Sequence, residues 1–363
     1  NIRGIASNGD DERLYANSDG AAVAAGGITL TPNGFYLESN NEYNSNGATY
    51  IYMAIRKGPM QTPTSRSSVF AINNRNSTGS SIDITSNFPV DWFFTKTRDS
   101  AYGFQQLSRL QGSGVRLGFY GTFVEQTDPN FEFDHNNKVV AGSDSSIGIN
   151  RSGDNNIDYM FRRAPKFFDV VAYTGDDVNG RTLNHNLGVT PEMMLIKGRN
   201  VAQSWRVYHS ALGEGKVVNF NSSDAEGNNV YYLNNTAPTS TVITLGQDDS
   251  TNGNYNYVAY LFATLAGISK VGTFSHTNGS STDVDCGFSS GSSFVIAKRT
   301  DSTGDWYVWD STRGIVAGDD PYVLLNSSAA EVTNTDYIDP LSSGFQIASG
   351  FTTGTYIFYA IAA

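Results

Sequence analysis

Apolar and polar residues alternate along this chain in short runs of roughly four to eight residues, and clusters of Gly, Asn, Asp and Ser interrupt them. A period of two predicts half-buried β-strands. No segment carries the 3.6-residue periodicity of an amphipathic helix. The stretch from Phe294 to Asn326 shows the pattern at its clearest. An apolar run (FVIAK) is followed by a polar turn, an aromatic run (WYVWD), a turn around Arg313 and a second apolar run (YVLLN).

Degraded copies of this stretch recur upstream. Three apolar runs end in a lysine, at Lys96, Lys197 and Lys298, each 101 residues from the next. Four aromatic runs follow Gly/Asn-rich turns, with Tyr50, Tyr159, Tyr257 and Tyr356 as the matching tyrosines. Trp205 aligns with Trp306. A period near 100 residues is far longer than that of solenoids and long enough for a self-sufficient core. The reading is all-β: tandem antiparallel β-sandwich modules of about 100 residues, each with about seven to nine strands. A propeller is disfavoured because its blades take about half this period.

The boundaries fall at 65–166, a diverged module, 167–269 and 270–363. Residues 1–60 align with the second half of a module, Arg3-Gly4 matching Arg313-Gly314. They predict a half-module completed by a partner or by a longer polypeptide. Linkers such as RRAPK and LAGISK are short, so neighbouring modules should pack end to end or at fixed angles.

Composition narrows the function classes. Aromatic residues make up 12% and charged residues 16%, too apolar for a disordered chain. The net charge of −11 and scattered Lys and Arg argue against nucleic acid as a partner. No apolar run is long enough to predict membrane insertion by a helix. The single cysteine, Cys286, sits in an alternating context and reads as a small buried hydrophobe.

Candidate chemistry is sparse. In WYVW, Trp306 and Val308 face one way and Tyr307 and Trp309 the other, so one aromatic pair lies on an outer face or beneath a neighbouring module. Trp309, Tyr307 and Arg313 are the candidate ligand-binding residues, as a stacking platform beside a cation. The competing reading makes Trp306 and Trp205 framework and Arg313 a loop brace on Asp310. His135, His185, His209 and His276 lack metal-ligand spacing, and no metal or cofactor is predicted. Acidic pairs such as Asp176-Asp177, Asp248-Asp249, Asp283/Asp285 and Asp319-Asp320 read as solvated turns. No nucleophile elbow or phosphate loop is present, and no catalytic residues are assigned.

The runs FDVVAYTG (168–175), LNHNLGVTPEMMLIK (183–197), YVAYLFATLAGISKVG (257–272) and the stretch from Lys298 to Val332 resemble a tandem β-module repeat family of large marine bacteriophage virion proteins. The resemblance implies a tail- or fibre-associated structural protein of the virion. It would mediate host-surface attachment or virion assembly contacts, with other virion proteins, copies of itself, and a host glycan or protein as partners. A carbohydrate-binding module array, a polysaccharide depolymerase fragment and an extracellular filament or surface-layer subunit are the alternatives.

Overall fold

The computed structural model describes residues 12, 13, 15–21, 23, 24, 28–31, 34–37, 44–54 and 60–363, except 113, 129, 134 and 144–147. Two short hairpins come first: β1 (Glu12–Arg13) with β2 (Val23–Ala24), and β3 (Ile28–Thr31) with β4 (Gly34–Leu37). Among the described residues, twenty-five further strands follow in three groups, and only two 3-10 turns, Arg66–Ser68 and Arg109–Gln111, interrupt them. The chain is all-β, as its alternation predicts.

The first module contains β5 (Phe70–Asn76), β6 (Ile82–Thr85), β7 (Trp92–Thr97), β8 (Gln105–Ser108), β9 (Val115–Gly118), β10 (Gln126–Thr127), β11 (Phe131–Glu132), β12 (Lys138–Ala141) and β13 (Asn155–Phe161). Its large sheet runs β10-β9-β8-β7-β13-β5, and its small sheet β11-β12-β6. The second module contains β14 (Phe168–Thr174), β15 (Arg181–Asn184), β16 (Met193–Gly198), β17 (Arg206–His209), β18 (Lys216–Asn219), β19 (Gly227–Asn228), β20 (Val242–Leu245) and β21 (Asn256–Phe262). Its sheets run β14-β21-β16-β17-β18-β19 and β15-β20.

The third module contains β22 (Ser269–His276), β23 (Thr282–Asp285), β24 (Ser292–Arg299), β25 (Trp306–Asp310), β26 (Val323–Leu324), β27 (Ile338–Leu341), β28 (Gly344–Ile347) and β29 (Gly354–Ala362). Its sheets run β22-β29-β24-β25-β26 and β23-β28-β27. Each large sheet has the same inner order, with the last strand of the module between the first strand and the lysine-ended one.

Those central strands are buried on both faces, because each large sheet packs twice. One face meets the module's own small sheet across a private core. Phe93, Leu107 and Met160 belong to that core in the first module, Met194, Tyr208 and Leu261 in the second, and Val295, Trp309 and Ala360 in the third. The opposite faces of all three large sheets meet in one shared core that includes Phe94, Tyr159, Leu195, Tyr260, Ile296 and Tyr359. The modules therefore do not pack end to end. They close into a pseudo-threefold ring around an aromatic axis, and the continuous apolar runs follow from that double burial.

Ring contacts cross every seam. Between the first and second modules, Trp92 and Tyr260 lie 4.7 Å apart and Phe119 and Trp205 5.1 Å. Between the second and third, Phe220 meets Trp306 at 4.8 Å and Phe262 meets Tyr359 at 5.0 Å. Between the third and first, Phe294 meets Tyr159 at 4.9 Å and Phe70 at 5.3 Å. The linkers repeat one another. A bridge joins Ala164 to Phe168 and another joins Leu265 to Ser269, and the residue at each bend, Lys166 or Gly267, has a left-handed φ of 65° or 71°.

Residues 44–54 form no strand, and Tyr50, Ile51, Tyr52 and Met53 are exposed. The half-module strand predicted at Tyr50 is not present there. The equivalent strands β13, β21 and β29 each run between two neighbours, and no described strand flanks Tyr50. The match at Arg3-Gly4 lies outside the described residues.

Candidate functional site

The predicted binding platform is interior. Trp309 is fully buried in the third module's private core and stacks on Tyr307 at 5.3 Å, with Phe351 at 5.8 Å. Tyr307 is half-buried and ringed by Tyr322, Tyr337 and Phe351. Neither presents a free face to a ligand. Trp306 faces the shared core, and its Nε1 donates to the Asn219 carbonyl of the second module at 2.9 Å. Trp205 donates in the same way to Gly118 of the first module at 2.9 Å. Both WYVW faces are buried, since the outer face of one module is the inner face of the ring.

Arg313 is equally inaccessible. Its side chain is fully buried and pairs with Asp310 at 2.6 Å and Glu331 at 3.1 Å. It also donates to the Tyr159 hydroxyl of the first module at 3.3 Å. Tyr159 in turn donates to Asp310 at 2.7 Å. Arg98 of the first module reaches Glu331 at 2.7 Å. The loop brace predicted on Asp310 is therefore part of a charged network that closes the third module onto the first.

Register corrects the tyrosine matches. Tyr159, Tyr260 and Tyr359 pair with Phe94, Leu195 and Ile296, each two residues before the repeated lysine. These three belong together and face the axis. Tyr257 and Tyr356 lie three residues before Tyr260 and Tyr359, in the private cores. Tyr260 donates to Gln106 at 2.7 Å and Gln111 at 2.9 Å in the first module. Tyr359 meets a different seam. Leu212 stands where the first module has Gln111 and the third has Arg313, so the second module offers no polar side chain there. Burial holds the His209 imidazole down to about 4.

Lys96, Lys197 and Lys298 are buried at the seams as well. Lys197 donates to Thr122 of the first module at 3.5 Å, Lys298 to Ser223 of the second at 3.1 Å, and Lys96 to Ser328 of the third at 3.4 Å. Burial lowers each ammonium to about 8. Backbone bonds run beside them: Glu125 N–H to the Arg199 carbonyl (2.6 Å), Glu226 to Thr300 (2.9 Å) and Glu331 to Arg98 (2.7 Å). These three lowered ammonium groups all serve the seams of the ring.

Other chemistry is likewise tied to structure. Among the described residues, no group of three or more His, Cys, Asp or Glu side chains is placed to hold a metal ion. Cys286 is buried and its thiol is pushed up to about 12. Asp320, read as solvated, is buried instead and accepts the Val316 N–H at 2.8 Å. No described helix is long and apolar enough to cross a membrane.

The site that sequence reading missed is a shallow cleft of about 580 Å³ in the second module, lined by Asn228, Asn229, Val230, Tyr231, Gln247, Asp248 and Asp249. Tyr231 and Val230 are exposed there. Tyr232, the next residue, is fully buried and donates to the Lys216 carbonyl at 2.7 Å. The two tyrosines lie in a turn, where no strand alternation marks which of them faces solvent.

No curated protein matches this chain. Residues 66–363, the whole of the ring, match a family described as a domain of unknown function (DUF7483). With most of its length covered by that match, the chain belongs to this family.

Proposed function

We propose that this chain is a non-catalytic structural and adhesive component of a bacteriophage virion, tail- or fibre-associated, on the particle surface. The observation that supports the reading is the use to which its chemistry is put. Three buried lysines, Arg313, Arg98, Asp310 and Glu331 all serve seams between copies of one module. Enzymes reserve their perturbed groups for a cleft, and here the lowered lysines face backbone carbonyls. The ring also supplies, within one chain, a threefold arrangement suited to a rigid projecting head. Its partners on this reading are other virion proteins, copies of itself and a host surface glycan or protein, without nucleic acid.

Immunogold labelling of purified particles with antibody against residues 66–363 tests this. Label on the tail or fibres is the expected result. Label absent from particles, or turnover of host polysaccharide by the purified chain, overturns it. The Tyr231 cleft favours a second reading, carbohydrate binding, because an exposed aromatic ring among amides and carboxylates is suited to a sugar.

A further inference from the structure

We propose that the Tyr231 cleft is a subsite for neutral carbohydrate. The inference deepens the adhesive reading and rests on it.

The ring of Tyr231 is not a folding requirement. Its backbone is packed tightly: a Cβ on Gly246, the residue after β20, would collide with the Tyr231 carbonyl oxygen. The side chain itself is exposed and lies outside every buried cluster. In the third module the same place, five residues after the glutamate whose N–H crosses the seam, holds Asp336, which is exposed too. The fold fixes this backbone seat and leaves the side chain free.

The cleft orients what the seat presents. Tyr231 N–H donates to Asn229 Oδ1 at 3.0 Å, and the Asn229 amide donates to Asp248. Asp248 also accepts the Ser250 N–H at 2.8 Å. These bonds brace the loop before any ligand arrives, which lowers the ordering cost of binding. Asn228, Gln247 and Asp249 are exposed around the ring. A pyranose laid with its C–H face on Tyr231 would direct its hydroxyls to those amides and that carboxylate. Asp248 and Asp249, on a chain of net charge −11, oppose a uronate or other acidic sugar and select a neutral one.

The test is calorimetric titration of the full chain with maltohexaose, cellohexaose, chitohexaose and mannohexaose, with hexagalacturonate as the anionic control. At least one neutral hexaose should bind, and Tyr231→Ala should weaken it by about tenfold or more while Tyr231→Trp retains it. The melting temperature of Tyr231→Ala should stay at the wild-type value, because the ring lies outside every core. Binding of none of the four, equal binding by Tyr231→Ala, or preference for hexagalacturonate overturns the proposal. Particle labelling is independent of that outcome. Tail label with no hexaose binding would sink the glycan subsite alone, whereas unlabelled particles would sink the adhesive reading itself.

Discussion

Replacing Arg313 by methionine tests the charged network that closes the ring. Methionine keeps most of the apolar volume and removes the guanidinium, so Asp310 is left buried without its cation. Breaking a buried ion pair costs about 3–5 kcal/mol. The lower end applies here, since Asp310 keeps bonds from the Tyr159 hydroxyl (2.7 Å), the Thr312 N–H (3.0 Å) and the residue-313 N–H (2.9 Å). Glu331 keeps Arg98. Unfolding entropy for a body of roughly 300 residues is about 0.6 kcal/mol/K, so a loss of about 3 kcal/mol lowers the melting temperature by about 5 °C. Circular dichroism melts at neutral pH read this directly. The double variant Asp310→Asn/Arg313→Met removes both charges, keeps an amide oxygen for the Thr312 and residue-313 N–H groups and lets the amide N–H donate to the Tyr159 hydroxyl, so it should recover at least half of the loss. Raising the salt concentration should not reproduce the single variant, because a fully buried pair is poorly screened. A single variant melting within about 1 °C of wild type, or a double variant no better than the single, would refute the assignment.

The remaining seams make separate predictions. His209 has a folded value near 4 against an ordinary 6.5, so the unfolded chain binds the extra proton between those limits. Stability is therefore full above pH 6.5 and falls by up to about 3 kcal/mol as pH drops to 4. His209→Gln should flatten that part of the melting-temperature profile, and a profile unchanged by the substitution would remove His209 as its source. Trp306→Phe gives the third module what the first carries as Phe104, losing the bond to Asn219. It should cost about 1–2 kcal/mol by urea unfolding, and a loss above about 4 kcal/mol would mean the seam tolerates far less than the repeat implies. Lys166 adopts the left-handed bend that Gly267 serves in the next linker. Lys166→Gly should leave stability unchanged or raise it by up to about 1 kcal/mol, while Gly267→Ala should lower it, both read by the same urea assay.

The strand class and the repeat were legible because they are local. Alternation, turn residues and a lysine recurring at 101 residues are all read along one dimension. Ring closure was not, although WFFTK, MMLIK and FVIAK are apolar at consecutive positions rather than alternate ones. A two-layer sandwich with a wet outer face does not require that, and strands buried on both faces do. Trp309 and Arg313 were misplaced because their chemistry suits a surface, but the module's own small sheet covers Trp309 and the first module covers Arg313. The tyrosines misaligned because Gly/Asn-led aromatic runs look alike three residues out of register. Only the pairing of Tyr159 with Phe94 separates an axial tyrosine from a core one. Tyr231 stayed hidden because nothing in a single sequence marks it apart from Tyr232.

The matching linkers mean that the ring has no architecturally privileged first module. The end of each module's last strand closes on the start of its first strand in one way: Arg162 N–H bonds to the Val69 carbonyl, Ala263 to Phe167, and Ala362 to Ile268. A tether as long as RRAPK from Ala363 back to Ser65 would therefore complete the circle, and the chain could be reopened at Lys166 or Gly267. Such circular permutants should fold to the same ring, with every seam intact and only the covalent order of the modules rotated.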